Sequence, residues 1–185
     1  MTQKEKQESL KSEKIKLSGL RKFTHFELSF FLLIFSVIFV IFYILGKYNI
    51  IGHGKTEPLT LLVLSGTPFV ISILYYFRQK KQLKYYIINL KCTEEQILFA
   101  YQKTKEELKW IDKKTGKNYF ILHTNPGFFS FNWGEEIKII WNNEKVMINS
   151  ICDPSSRAAI FSMGRNKKNV IIFKKYLNTA NKNIT

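Results

Sequence analysis

The sequence is poor in the residues that small domains use to staple or metallate themselves. It has two cysteines, Cys92 and Cys152, sixty positions apart in a chain of 185 residues, which excludes a disulfide scaffold. Its three histidines, His25, His53 and His123, fall in different regions, and none stands at ligand spacing from a cysteine or carboxylate. No zinc site is expected from that pattern. The nine glycines are scattered, without the run that cradles a nucleotide phosphate, so no cofactor is expected either. Acidic residues are scarce, 14 against 29 lysines and arginines, which leaves a formal net charge of +15.

Long apolar runs are plentiful. Residues 28–46 and 58–77 each lack a charged side chain and are dominated by Leu, Ile, Phe and Val. At about 1.5 Å per helical residue, each run covers the hydrocarbon core of a bilayer, roughly 30 Å. The two are read as a transmembrane hairpin over 28–77. A cleavable signal would have a shorter apolar core ending at a small-residue site, and Tyr43-Ile44-Leu45-Gly46-Lys47 offers none. Lys4, Lys6, Lys11, Lys14, Lys16, Arg21 and Lys22 precede the first run, Arg78, Lys80, Lys81 and Lys84 follow the second, and only Lys47 and Lys55 lie between. Positive residues stay on the cytoplasmic side, so a multi-pass inner-membrane protein with both termini cytoplasmic is expected.

Within the runs, Ser29 and Ser36, and likewise Ser65 and Ser72, are seven apart and share a helical face. Small faces let helices approach closely. Pro68, after Ser65-Gly66-Thr67, predicts a kink in the second span. Neither run holds an Asp, Glu, Lys, Arg or His, which argues against a polar pathway through a single hairpin. A channel or transporter subunit would require several hairpins to self-associate through the serine faces.

Residues 1–27 form a basic tail, too sparse in apolar residues to fold alone, and are expected to be disordered or transiently helical. A basic linker at 78–84 leads to a domain at 85–178, followed by a polar tail at 179–185. In the domain, 85–90 reads as a strand. Thr93-Glu94-Glu95-Gln96 is a capping box opening a helix whose stripe Ile97, Tyr101, Thr104, Leu108 and Ile111 carries it towards 113–116. Strands are expected at 119–123, 128–141, 146–152 and 158–163, with turns at 125–127 and 142–144. Phe129, Phe131, Trp133, Ile137, Ile139 and Trp141 share one parity and make the core face, with Gly134 read as a bulge. Asn166 is expected to cap a closing helix with Val170, Phe173 and Leu177 inward. The order β-α-β-β-β-β-α predicts an antiparallel sheet of about five strands with two helices on one face, an α+β fold.

From Arg78 onward the chain has 20 lysines and arginines against nine acidic residues. A basic surface serves nucleic-acid phosphates or anionic lipid. A domain tethered at the inner leaflet favours lipid over nucleic acid. The expected contacts are the juxtamembrane Arg78, Lys80, Lys81 and Lys84, together with Arg165, Lys167 and Lys168, where Gly164-Arg165-Asn166 starts a helix and its amides point outward. Glu135 and Glu136 are adjacent, point to opposite faces and are read as solvated at a strand edge. A hydrolase using Cys152 or Ser150 would have only His123 as a histidine base within the domain. The leading expectation is a non-enzymatic membrane protein whose basic domain binds lipid or a protein partner.

Trp133-Gly134-Glu135 before alternating isoleucines, Ser150 and Cys152 ahead of Pro154, and Gly164-Arg165-Asn166 with Asn169 together form a recurring pattern. It resembles a group of small two-span bacterial membrane proteins with a WGE strand, an S-x-x-x-P turn and a GKN-x-x-N helix start. Arg165 stands where that group has Lys, and Met163 where it has an aromatic residue. The resemblance covers about 133–173 and the hairpin. It implies the same anchor and α+β layout and carries no activity.

Overall fold

A computed structural model describes residues 1–48, 58–125, 134–155 and 164–182. His53, Lys55, Pro126, Gly127, residues 128–133 of the expected long strand, Arg157 and the expected strand at 158–163 lie outside the described residues. The chain divides into two compact units, Met1–Thr24 with Gln82–Thr185, and His25–Lys81.

The second unit is a pair of helices, drawn from α2 (Gly19–Lys47) and α3 (Pro58–Gln82). α2 has 29 residues and, among the described residues, is the one helix long and apolar enough to cross a membrane. A two-span hairpin is not shown, since α2 alone qualifies among the described residues. α3 runs through Pro68 as one helix. The expected serine faces do meet: Ser29, Ser36 and Ser72 are buried, and the Ser72 hydroxyl donates to the Ser29 carbonyl at 2.8 Å. Ser29 Oγ donates to Gln79 Oε1 at 2.6 Å, and the Gln79 amide nitrogen donates to the His25 carbonyl. The opposite surfaces are apolar, with Phe31, Ile34, Phe42, Leu74 and Phe77 largely exposed.

The first unit is built on a five-stranded antiparallel sheet in the order β1-β5-β4-β3-β2. Its strands are β1 (Tyr86–Ile88), β2 (Ile111–Gly116), β3 (Tyr119–His123), β4 (Glu135–Trp141) and β5 (Val146–Cys152). Helices α4 (Glu94–Leu108) and α5 (Arg165–Lys182) cover one face. The Thr93–Gln96 capping box starts α4, with both reciprocal bonds present. Ile97, Ala100, Tyr101 and Thr104 of α4 and Phe173 and Leu177 of α5 are buried. They pack over Phe120, Leu122, Ile137, Ile139, Trp141 and Ile148 of the sheet.

The strand and helix order matches the expected β-α-β-β-β-β-α, but with a different segment in one place. The helix expected to continue past Ile111 ends at Leu108, where Lys109 takes a left-handed conformation with φ 52°. Trp110 then turns into the core, 2% exposed, and Ile111 begins β2. That strand is exposed along its whole length, so it has no apolar alternation to betray it. Asn118, at φ 64°, closes the turn to β3, a conformation that asparagine tolerates better than most residues.

The tail expected to lack structure is also ordered. Residues Gln3–Ser12 form α1, with a Thr2–Glu5 capping box. Ile15 is buried with Tyr85, Tyr119, Ile140, Met147 and Ile151 against the second face of the sheet, with Met1, Leu10 and Leu17 alongside. Few apolar residues suffice here because the sheet supplies the rest of the interface. The segment is pinned by backbone bonds from Ile15 N–H to the Leu83 carbonyl, 2.8 Å, and from Tyr85 N–H to the Glu13 carbonyl, 2.9 Å. Asn149 Nδ2 donates to the Gln82 and Lys84 carbonyls at 2.8 and 2.6 Å. Helices α4 and α5 therefore share one face as expected, and α1 with the segment after it packs on the other.

Truncating a side chain this deeply packed leaves a cavity, so Ile15→Ala is expected to cost about 3 kcal/mol. In a detergent-solubilised melt this would lower the unfolding midpoint by roughly 6–12 °C. Leu20→Ala, at a residue 83% exposed, should leave the midpoint in place.

Candidate functional site

Three segments singled out by sequence converge on the face covered by α4 and α5. The register of β4 against β5 pairs Glu135 with Cys152 and Ile137 with Ser150, and alternation puts all four side chains on that face. The first turn of α5 lands beside them, and Asn166 and Asn169, three apart, share one side of the helix. Ser150 Oγ donates to Asn166 Oδ1 at 3.1 Å and accepts from Asn169 Nδ2 at 2.9 Å. Asn169 Oδ1 in turn accepts from the Trp110 indole at 3.1 Å. Asn166 lies inside α5, which begins at Arg165, so its side chain serves this network and not the helix cap. Gly164, at φ 80°, makes the turn that a side chain would strain.

Glu135 is fully buried and is held by Arg165 Nε at 3.2 Å. The Thr124 hydroxyl donates to its carboxylate, while the Glu135 amide donates back to Thr124 Oγ1 at 3.0 Å. Arg165 Nη2 also donates to the Asn125 carbonyl at 3.0 Å. The guanidinium expected to await an anion is thus engaged inside the fold. Burial pushes the Cys152 thiol up from its ordinary range, and the neighbouring Glu135 charge adds to the effect. A thiol in that state is a poor nucleophile, since reactivity belongs to the thiolate.

Glu136 faces the other side, 1% exposed. Its carboxylate meets Arg21 Nη2 at 2.6 Å, Lys138 Nζ at 3.3 Å and Lys113 Nζ at 3.4 Å, and Lys113 reaches Asp153 at 3.5 Å. The solvated strand edge expected for Glu135 and Glu136 is therefore corrected: β4 is the middle strand, and every one of its residues is buried. Burial alone would raise the Glu136 carboxyl. The Lys138 and Arg21 cations outweigh it, and the group titrates below the ordinary glutamate range. Lys138, desolvated and beside Arg21, is held below the ordinary lysine range.

His123 pairs across the ladder with Glu136, so its ring lies on the face opposite Ser150 and Cys152. The three residues of the hydrolase expectation are not brought together. Arg78, Lys80 and Lys81 are exposed on the last turns of α3, with Arg78 over the Tyr75 ring at 5.6 Å. Lys84 is exposed and bridges to Lys14. Lys167 and Lys168 are exposed on α5, and Lys167 alone of the two lines an open groove. Among the described residues, no group of three His, Cys, Asp or Glu could share a metal ion. The chain matches no family model, no curated protein and no solved structure.

Sequence reasoning missed Arg21, Thr124 and Trp110 as partners. A signal for the first was present: Lys138 sits between isoleucines in an otherwise apolar strand, and a charge there needs a counter-charge brought to it.

Two substitutions test these networks. Glu136→Gln leaves Lys138 and Arg21 uncompensated and is expected to cost about 3 kcal/mol. Because the folded carboxyl titrates below its unfolded value of about 4.3, its contribution is complete above that pH and is lost as pH falls through the folded value. Midpoints recorded between about pH 5 and pH 3 should therefore fall less steeply in this variant than in the parent. Asn169→Ala orphans the buried Trp110 indole and one Ser150 contact and should cost about 2 kcal/mol. Lys168→Ala, on exposed surface, should be neutral in the same denaturation series.

Proposed function

We propose that this protein is a non-catalytic integral membrane protein of the inner membrane. In this reading α2 and α3 form a two-span hairpin that anchors the α+β domain on the cytoplasmic side, where its basic surface engages anionic lipid or a protein partner. The observation that carries the reading is the apolar outer surface of the helix pair. Side chains such as Phe31, Phe42, Leu74 and Phe77 turn outward, while the polar groups of Ser29, Ser72 and Gln79 turn inward and satisfy one another. That is the inverse of a helix pair built for water, and it suits a hydrocarbon solvent.

The distribution of charge supports the orientation. Seven lysines and arginines precede the first run and four follow the second, against two between them, which favours both termini on the cytoplasmic side. The exposed Arg78, Lys80, Lys81 and Lys84 then stand where the potential of anionic head groups attracts each by about 1 kcal/mol. Ser29 and Ser72 bond within the pair, which weakens the case for a pore assembled through serine faces. The non-catalytic reading draws support from side chains that are already paired, Glu135 with Arg165 and Ser150 with two asparagines.

Tagging both ends tests the anchor. Alkaline carbonate should leave the protein in the membrane pellet, and protease should remove both tags from inverted vesicles and neither from spheroplasts. Removal of one tag from the outer side would refute the two-span topology, and release by carbonate would refute the anchor itself.

A further inference from the structure

We infer that the groove between Tyr86 and the outer face of α5 binds the headgroup phosphate of an anionic phospholipid, an inference that rests on the membrane-anchored reading above. The groove encloses about 520 Å³. Its floor is aliphatic and aromatic: Val170, Ile171 and the Tyr86 ring, with Ile171 51% and Tyr86 45% exposed. Its rim carries Lys167, Lys174 and Lys175, and among the described residues no carboxylate lines it. Positions 167, 171 and 174 are spaced by four and three, so they fall on one face of α5, next to the stripe of Phe173 and Leu177 that enters the core.

The lysines are arranged and not merely scattered. Lys174 Nζ donates to the Tyr86 hydroxyl at 2.9 Å and stands 5.2 Å from the centre of its ring. The tyrosine thereby fixes one ammonium at the mouth of the groove while covering part of the floor. None of the three lysines forms an ion pair with a carboxylate among the described residues, although Lys16, Lys103, Lys105, Lys113, Lys138 and Lys145 do. Three ammonium groups around one apolar floor call for a ligand with a compact anion at one end and methylenes at the other. A phosphate offers several acceptor oxygens to such donors, and the glycerol and first acyl carbons suit Val170 and Ile171.

Chain length places the groove near its ligand. Tyr86 follows Gln82, the last residue of α3, by four positions, and four extended residues span at most about 14 Å. If α3 leaves the membrane at its basic end, the groove wall stays within headgroup reach. Nucleic acid suits this groove less well, since a base would need aromatic faces to stack on and, among the described residues, Tyr86 is the one ring in the lining. The site also departs from the one the sequence suggested. Arg165 is spent on Glu135, and Lys168 lies outside the lining.

The test is calorimetric titration of the full-length protein in uncharged detergent with dihexanoyl phosphatidylglycerol. Dihexanoyl phosphatidylcholine, inorganic phosphate and a hexaglutamate peptide serve as separate arms. Phosphatidylglycerol should bind, and the double variant Lys167→Gln/Lys175→Gln should weaken it about 30-fold, the effect of two headgroup lysines. A control of equal charge loss away from the groove, Lys91→Gln/Lys103→Gln, should change it less than about threefold. Circular dichroism should show every variant folded, as expected for exposed lysines. Equal weakening by the two double variants would overturn the inference, as would phosphatidylcholine, free phosphate or hexaglutamate binding as tightly as phosphatidylglycerol. Carbonate extraction of the parent protein separates the two proposals: a parent that stays in the pellet but does not bind phosphatidylglycerol sinks only the groove.

Discussion

Glu135, Glu136 and Lys138 occupy the middle strand of a sheet covered on both faces, and a charge in that position is tolerated only if its counter-charge is carried in from elsewhere. On one face the partner is Arg165, from the first turn of the last helix. On the other it is Arg21, from the chain N-terminal to the whole domain, with Lys138 and Lys113 completing the ring. Adjacent carboxylates on alternating sides of one strand thus recruit opposite ends of the sequence. The positions of α5 and of the N-terminal segment are consequences of where β4 holds its negative charge.

The same requirement explains why the polar groups around α5 are so completely used. Ser150, Asn166, Asn169 and Trp110 satisfy one another beside Glu135, and a buried network of this kind rigidifies only when every member is matched. What looks in sequence like a nucleophile next to a helix start is here a means of seating a helix. The groove on the outer face of α5 depends on that seating, because the rotation that buries Asn169, Phe173 and Leu177 also turns Lys167, Ile171 and Lys174 outward.

Sequence reading succeeded where one local signal was sufficient. The Thr93–Gln96 box, the strands at 119–123 and 146–152 and the inward Phe173 and Leu177 all follow from spacing or capping, and the structure bears out each. The packing of Ser29 against the Ser72 helix was also legible from a seven-residue repeat. Failures came where the partner lies far away in the chain. β2 is exposed along its length, so no apolar alternation marks it. Ile15 and Leu10 make a ragged stripe because they meet a sheet and not a second helix. The burial of Glu136 could not be inferred from its neighbours, since it depends on Arg21, 115 residues earlier.

The backbone bonds between Glu13, Ile15, Leu83 and Tyr85 also define what kind of gene product this is. The chain leaves the domain after Thr24 and returns to it at Gln82, so the helix pair is an insertion between two ends that each stay tied to the domain nearby. Closing such a gap has a cost set by the distance between those ends and only weakly by what is inserted. The domain and the helix pair can therefore change length or composition independently of each other, so long as the backbone bonds of Ile15 to Leu83 and of Tyr85 to Glu13 hold.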